Sequence, residues 1–253
     1  MLKCSRFLIA PVAAVLTAWA CGPVGAAVLY DAALGTAPAA QGWTTQGIGA
    51  APVQSVAAGT YRLDTTGTGV LTFGSGLVSA LPLDAASGYD LSFSLQVMSE
   101  AHSSDNRAGF SVLAVGADPR KAIELAFWSG HVWAYDYDGL AADRFVHGAD
   151  AAFDTASALQ TYTLSVRHQQ FTLFSGGSTL LSGALRDYTA SGLPPYATPN
   201  LLFFGDDSSR GTSVTQLGFV SLSPVPEPAS AVLWLAGLAV LGAMAWRRTG
   251  LRV

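Results

Sequence analysis

The sequence has few charged residues and almost no cysteine. Only 12% of its 253 residues are charged, whereas 50% are hydrophobic, a balance that is too apolar for an ordinary soluble domain. Both cysteines, Cys4 and Cys21, lie in the first segment of the chain. If that segment is removed, the mature protein has no thiol and no disulfide, which excludes cysteine chemistry.

Basic residues are also scarce, and they form no cluster in the interior of the chain. Residues 27–222 hold eight Lys and Arg against sixteen Asp and Glu. Because phosphate binding needs a basic face, this balance argues against nucleic acid as a partner. An acidic body of this kind fits an environment that contains calcium or polysaccharide.

Histidines in metal-ligand spacing are missing as well. The four histidines are His102, His131, His147 and His168, and none of them stands in a His-x-His or His-x-x-x-His pattern. The sequence therefore predicts no zinc site and no nucleophile–base pair. We expect a protein that is not an enzyme and that needs no cofactor, with calcium as the one exception considered below.

The first 26 residues have the layout of a signal peptide. Two basic residues precede an apolar stretch over 8–19, and small residues around Ala26 and Ala27 would form a cleavage site. The stretch is shorter than the about 20 residues of a bilayer span, so an uncleaved anchor is disfavoured. Lipidation of Cys21 is another alternative that we disfavour. The Sec translocon and signal peptidase are the expected partners of this segment.

The C-terminal segment 223–253 combines a proline-rich stretch, an uncharged apolar run and a basic tail. The residues concerned are Val225, Pro226, Glu227 and Pro228, then 229–246, then Arg247, Arg248 and Arg252. About 18 residues at about 1.5 Å each reach about 27 Å, enough for a transmembrane helix in a thin bilayer. Because arginines stay on the cytoplasmic side, the body is expected outside the cytoplasm. The prolines predict an extended chain over 224–228.

This combination resembles the PEP-CTERM sorting domain. The resemblance rests on the Pro-Glu-Pro motif, the apolar run with Trp234 and Gly237-Leu238, and the terminal arginines. It implies processing by an exosortase, a membrane-embedded, cysteine transpeptidase-like enzyme of Gram-negative bacteria that make exopolysaccharide. The protein would be held in the inner membrane and then reach the cell surface or extracellular matrix. A plain tail anchor with a proline-rich linker is the alternative.

Residues 27–222 have the alternation of an all-β domain. Apolar Leu91, Phe93 and Leu95 alternate with polar residues, and so do Tyr162 and Leu164, which predicts strands with one buried face. Further strands are predicted at 61–64, 70–73, 110–115, 122–128, 131–137, 171–174, 179–185, 201–205 and 214–222. About a dozen antiparallel strands predict a single two-sheet sandwich or jelly roll.

The order of these segments resembles the concanavalin-like and laminin-G-like sandwiches. It is most similar to the extracellular domains called choice-of-anchor domains, which recur beside varied surface anchors. The resemblance is carried by 110–115, 123–128, 162–166, 171–174 and 200–210. It implies a fold and a surface setting, and it implies no ligand.

One strand carries aromatic residues that could bind carbohydrate. Trp133, Tyr135 and Tyr137 would share one strand face, with Trp128 just before the turn. Aromatic faces stack on sugar rings, but the same spacing also describes a strand that fills the core.

Three acidic features are candidate chemical sites. Asp136 and Asp138 lie two residues apart, at a spacing of about 6 to 7 Å that some glycosidases use, although an Asp-Tyr-Asp-Gly run at a hairpin end is more often turn chemistry. Glu124 is the one acid placed in the middle of a strand, without the acid triplet of sandwich-fold glucanases. Asp206 and Asp207 follow a strand and could bind calcium, or they could cap a turn or pair with Arg210.

Three functions remain open from the sequence. The first is a non-enzymatic surface or matrix protein that an exosortase processes and that lies among extracellular polysaccharide. The second is a carbohydrate-binding module, with or without calcium. The third is a polysaccharide hydrolase.

Overall fold

The body of the protein is a sandwich of two antiparallel β-sheets. A computed structural model describes residues 25–140, 143–225 and 237–238. Within these residues the strands are β1 (Ala27–Asp31), β2 (Thr44–Gly49), β3 (Val53–Ala57), β4 (Thr60–Asp64), β5 (Val70–Val78), β6 (Tyr89–His102), β7 (Ser111–Val115), β8 (Ala122–Phe127), β9 (His131–Tyr137), β10 (Phe145–Ala152), β11 (Gln160–Arg167), β12 (Gln170–Ser175), β13 (Ser178–Ala184), β14 (Leu201–Asp206) and β15 (Gly211–Pro224). Short 3₁₀ helices cover Ala32–Leu34, Pro38–Gln41, Thr189–Ser191 and Pro194–Ala197.

The first sheet has the order β13-β12-β11-β6-β15-β4-β3, and β1 also pairs with β15. The second sheet has the order β10-β9-β8-β7-β14-β5-β2. Some neighbours are consecutive along the chain, such as β7-β8-β9-β10 and β11-β12-β13. Others, such as β6 and β15, are separated by connections that cross from one sheet to the other, as in a jelly roll. The predicted fold class, an all-β sandwich, is confirmed for the body.

The core lies between the two sheets and is rich in aromatic rings. Phe93 of β6 stacks on Tyr162 of β11 at 5.4 Å between ring centroids, and Phe204 of β14 meets it edge-on at 5.3 Å. Both geometries suit the quadrupoles of aromatic rings. The predicted alternation of Leu91, Phe93 and Leu95 is correct, since all three side chains are buried.

A second apolar cluster covers the outer face of the second sheet. Along β9, Val132 and Ala134 face the core, whereas Trp133 and Tyr135 belong to the outer cluster, as the two-residue period of a strand requires. Residues 185–200, which we call the cover segment, contribute Tyr188 and Tyr196 to this cluster. The second sheet is therefore buried on both faces in its centre.

The last strand continues further than its pattern predicts. Pro224 pairs with Tyr89 of β6, and the N–H of Val225 donates to the carbonyl of Gly88 at 3.1 Å. Ser223 and Pro224, which we had assigned to the sorting segment, are thus part of the sheet. On the other side of β15, Ala27 pairs with Leu222.

Four strands were not predicted: β1, β2, β3 and β10. β2 is exposed along its whole length, and β10 contains a register shift between His147 and Asp150. Neither has the apolar alternation that marks a half-buried strand.

The predicted signal peptide lies outside the described residues, apart from its end, and so does the predicted transmembrane helix except for the helical Gly237 and Leu238. Among residues 25–140, 143–225 and 237–238, no helix has the length and apolar content that crossing a bilayer requires.

Candidate functional site

Two adjoining pockets form a groove on the outer face of the second sheet. The larger has a volume of about 360 Å³ and the smaller about 140 Å³. Both are lined by Leu193, Tyr196 and Asp207, so the cover segment and the loop after β14 lie where they meet. The larger pocket is also lined by Gln46, Gly47, Ile48, Thr72, Phe73, Gly74, Leu113, Pro195, Phe203 and Asp206, and the smaller by Arg107, Glu124, Tyr135 and Phe145.

Glu124 is a buried acid in the smaller pocket of this groove. Ile123 and Leu125 face the core, so the alternation of β8 turns Glu124 to the opposite face. Its Oε2 accepts a hydrogen bond of 2.7 Å from the hydroxyl of Tyr196. Its Oε1 has no donor among the described residues, although the residue is 1% exposed. A buried oxygen without a partner is costly.

Asp207 explains part of this arrangement. Its side chain lines the smaller pocket together with Glu124, and its Oδ1 accepts from the Ser111 hydroxyl at 3.3 Å. Burial raises the pKa of Glu124 well above its usual range, and the charge of Asp207 raises it further. Burial beside a second acid therefore favours the protonated form of Glu124.

Tyrosine hydroxyls surround the carboxyl pair. Tyr188 donates to the backbone carbonyl of Tyr135 at 2.7 Å and accepts from the N–H of Glu124 at 3.3 Å. Burial, together with the nearby acids, raises the pKa of Tyr135 and of Tyr196 well above the usual range. Both side chains therefore stay neutral and keep their O–H groups as donors.

Arg107 lines the smaller pocket, but its guanidinium is already engaged. It donates to the carbonyls of Phe145 and Asp143 at 2.7 and 2.9 Å. Its charge is also 3.9 Å from the Asp143 carboxylate. Arg107 thus holds the loop before β7 to the start of β10 and has little capacity left for an anion.

The two acids predicted to bind calcium point to different surroundings. Asp206 accepts from the N–H of Ser208 at 3.0 Å and is 1% exposed, while Asp207 faces Ser111 and Glu124. Burial raises the pKa of Asp206 to about 8. In the part of the chain that the structure describes, no three His, Asp or Glu side chains are grouped to hold a metal ion. Calcium needs several oxygens that converge on one point, and calcium binding by Asp206 and Asp207 stays a prediction.

The predicted aromatic platform is largely enclosed. Trp133 is fully buried, and the ring of His147 stacks on it at 4.2 Å. Tyr135 is buried as well. These two rings therefore pack within the protein and offer no open face to a sugar. Trp128 and Tyr137 are half-buried, and for them carbohydrate stacking stays a prediction.

Three of the histidines gather around Trp128, which the sequence did not reveal. His102 stacks on its ring at 4.2 Å, and the rings of His147 and His131 lie at 5.0 and 6.3 Å. Asp150 contacts both His131 and His147. These histidines come from β6, β9 and β10, so no local spacing marks them.

The acids of the Asp-Tyr-Asp run take separate roles. Asp136 accepts from the guanidinium of Arg186 at 2.8 Å, and Asp138 accepts from the N–H of Leu140 at 3.0 Å. The second contact is turn chemistry. The two acids do not line the groove, whereas Glu124 does.

Of the predicted sorting residues, Val225 is described and its N–H is bonded to the sheet. Pro226, Glu227, Pro228, Arg247, Arg248 and Arg252 lie outside the described residues.

Comparisons with known families and structures concern two parts of the chain, the C-terminal sorting segment and the β-sandwich body. The model of the PEP-CTERM protein-sorting motif matches residues 224–248, so the chain carries this motif. No curated protein matches the sequence.

The body is similar in fold to a conserved carbohydrate esterase from the Shiga toxin-encoding bacteriophage phi24B. That likeness has a TM-score of 0.56 at 13% identity and covers 80% of this chain and 100% of the esterase chain. The metal-free carbohydrate recognition domain of Emp46p has a TM-score of 0.49 at 11% identity, with 79% and 96% covered. At these identities the likeness concerns the fold alone.

Proposed function

We propose that the protein is an exported, non-enzymatic surface protein that an exosortase processes at its C-terminal segment. The sorting motif at 224–248 carries this proposal. The motif begins within β15, so the folded body leads directly into the segment that the exosortase would recognise.

The Pro-Glu-Pro sequence is the part of the motif best suited to recognition. Glu227 is the only charged residue between Arg210 and Arg247. The prolines beside it favour an extended chain, which a protease-like cleft can bind. An apolar helix lacks such a distinguishing group, so the helix directs insertion and Glu227 directs processing.

The test is the fate of Glu227→Ala in a host that has an exosortase and in one that lacks it. Insertion should be unchanged, because hydrophobicity and the arginine tail govern it. Processing should fail, and the variant should accumulate in the membrane at full length. Immunoblots of membrane and extracellular fractions measure both.

Leu140→Ala is the control for the effect of an unrelated substitution, because Leu140 is 99% exposed in a loop. It should be processed like the wild type. Equal processing of Glu227→Ala and wild type in the exosortase-bearing host would end the proposal. So would processing of the wild type in the host without an exosortase.

A second function, carbohydrate binding, is supported by the groove. Its walls combine aromatic rings with a few polar groups, which is typical of ligand sites. Binding without hydrolysis is the form of this function that we propose. Incubation with a bound glycan should release no reducing ends.

A further inference from the structure

We infer that the groove binds a neutral, polyhydroxylated chain, and that the carboxyl pair of Glu124 and Asp207 is the polar group that holds it. This inference rests on the proposed carbohydrate binding and goes beyond it by naming the ligand class and the residues responsible.

The walls of the groove carry no net positive charge. Apart from Arg107, no lining residue is basic, and the guanidinium of Arg107 is taken up by Asp143 and by backbone carbonyls. An anionic ligand such as a uronate chain would meet Glu124 and Asp207 without a free cation. The charge distribution therefore disfavours anions.

The polar and apolar groups of the larger pocket suit a sugar chain. Gln46 and Thr72 supply uncharged polar atoms, and Phe73 and Phe203 supply aromatic surface. Sugar rings have apolar faces and hydroxyl edges, so they match walls of both kinds. The larger pocket meets the carboxyl pair at Asp207, which gives a chain-like ligand a continuous path.

The unpartnered oxygen of Glu124 is the feature that points to a ligand. Oε1 is buried and has no donor among the described residues, and Glu124 lines the smaller pocket. With Glu124 protonated, the site offers one O–H donor beside the carboxyl oxygens of Asp207. Adjacent hydroxyl groups of a sugar can accept the first and donate to the second.

The protonation of the pair links binding to pH. Besides Asp207, the ionisable groups that face Glu124 are Tyr135, Tyr188 and Tyr196, with Arg107 in the same pocket. The tyrosines stay neutral, so the Glu124 carboxyl is the group that loses its proton as pH rises. Ionised Glu124 has no donor, and binding should weaken on the alkaline side of the Glu124 pKa.

The experiment uses the full chain purified in detergent. Probes are neutral gluco-, galacto- and manno-oligosaccharides, uronate oligomers of alginate and polygalacturonate, and glucosamine oligomers, first on an array and then by calorimetry from mildly acidic to alkaline pH. At least one neutral oligosaccharide should bind, and its affinity should fall as pH rises. Tighter binding of a uronate or glucosamine oligomer would overturn the inference.

Two variants locate the binding. Asp207→Ala should weaken binding about tenfold, which corresponds to one lost hydrogen bond to a charged group. Glu124→Gln imitates the protonated carboxyl, so it should keep affinity within about threefold at acidic pH and lose the alkaline decline. Asp118→Asn, at an exposed acid paired with Arg120, should behave as wild type.

The outcomes separate the inference from the proposed functions. If a neutral glycan binds but Asp207→Ala and Glu124→Gln leave its affinity and pH profile unchanged, the inference fails and carbohydrate binding stands. If no glycan binds, the inference and the proposed carbohydrate binding both fail. The sorting proposal is tested separately, by the processing of Glu227→Ala. Circular dichroism of each variant excludes misfolding as the cause of lost binding.

Discussion

Asp206 shows how a single buried acid can make the sandwich sensitive to pH. One of its carboxyl oxygens accepts from the N–H of Ser208, and the other has no donor among the described residues. Burial raises its pKa from 3.8 to about 8. The folded state therefore binds a proton that the unfolded state releases between these values, and the free energy of unfolding falls as pH rises through that window.

Replacing this acid by its neutral analogue should stabilise the protein at alkaline pH. Asp206→Asn keeps the acceptor for Ser208 and removes the ionisable group. The gain in the free energy of unfolding should grow between pH 3.8 and about 8 and then level off, at on the order of 5 kcal/mol. Urea unfolding at a series of pH values measures it.

Asp118→Asn serves as the matched control, because Asp118 is exposed and paired with Arg120. It should not produce a gain that grows over the same window. Parallel pH profiles of Asp206→Asn and wild type would show that Asp206 ionises normally in the folded protein.

The sequence identifies individual residues of the site, but it does not predict which of them lie together. Glu124 stood out as the one acid in the middle of a strand, and alternation correctly directs it to one face. Asp207 was identified as part of a calcium pair with Asp206. Neighbouring residues of an extended chain point to opposite sides, so Asp207 instead meets Glu124, from another strand. Such a pairing depends on sheet order, which local patterns do not contain.

Among the elements of the fold, the cover segment forms one wall of the groove on the second sheet. Residues 185–200 lie over the outer face and are attached by tyrosines. Phe145 stacks on Tyr196 at 4.7 Å, and Tyr188 meets Tyr196 edge-on at 5.4 Å. The hydroxyl of Tyr188 then fixes the segment to β9 through the carbonyl of Tyr135.

Removing that hydroxyl should loosen the segment and destabilise the fold. Tyr188→Phe keeps the ring but leaves the Tyr135 carbonyl without its donor, at a cost of about 1 to 3 kcal/mol. Thermal and urea unfolding measure the loss. Tyr137→Phe, which changes a half-buried ring of the same cluster outside this network, should cost less. Equal losses in the two variants would contradict the role given to Tyr188.

The alternation of apolar residues predicted the strands that border the core, but it missed strands at the sheet edges. The bounds of β9 are as predicted, whereas exposed β2 and bulged β10 were missed, because alternation arises from burial on one face. The glycines of the β12–β13 turn, Gly176 and Gly177, have positive φ at 57° and 79°, as turn chemistry favours. The left-handed residues of the β11–β12 hairpin are instead His168 and Gln169, at φ 50° and 64°. Strand pairing there imposes the turn conformation on residues that do not favour it.

For the whole molecule, the end of β15 sets the boundary of the body. We expect residues 27–225 to fold alone as a soluble β-protein without thiols, with a far-ultraviolet spectrum typical of strands. A chain that ends at Leu222 loses the pairing of Pro224 with Tyr89 and the bond from Val225 to Gly88. Its melting temperature should be lower by several degrees, since about 1 kcal/mol corresponds to about 2 to 4 °C at this size.

A chain extended beyond Val225 without its apolar run is the control, and it should melt like the chain that ends at Val225. If the chains ending at Leu222 and Val225 melt together, the last residues of β15 contribute nothing to the fold.

The central position of β15 also determines how the body would bear a mechanical load. β6 lies along one side of it, and β4 and β1 lie along the other. A pull on the chain after Val225 acts along the axis of this strand, across hydrogen bonds that run perpendicular to it. All the bonds of the strand then share the force in shear, whereas an edge strand pulled sideways would open them one after another. A protein attached by this end can resist flow at a cell surface without a disulfide.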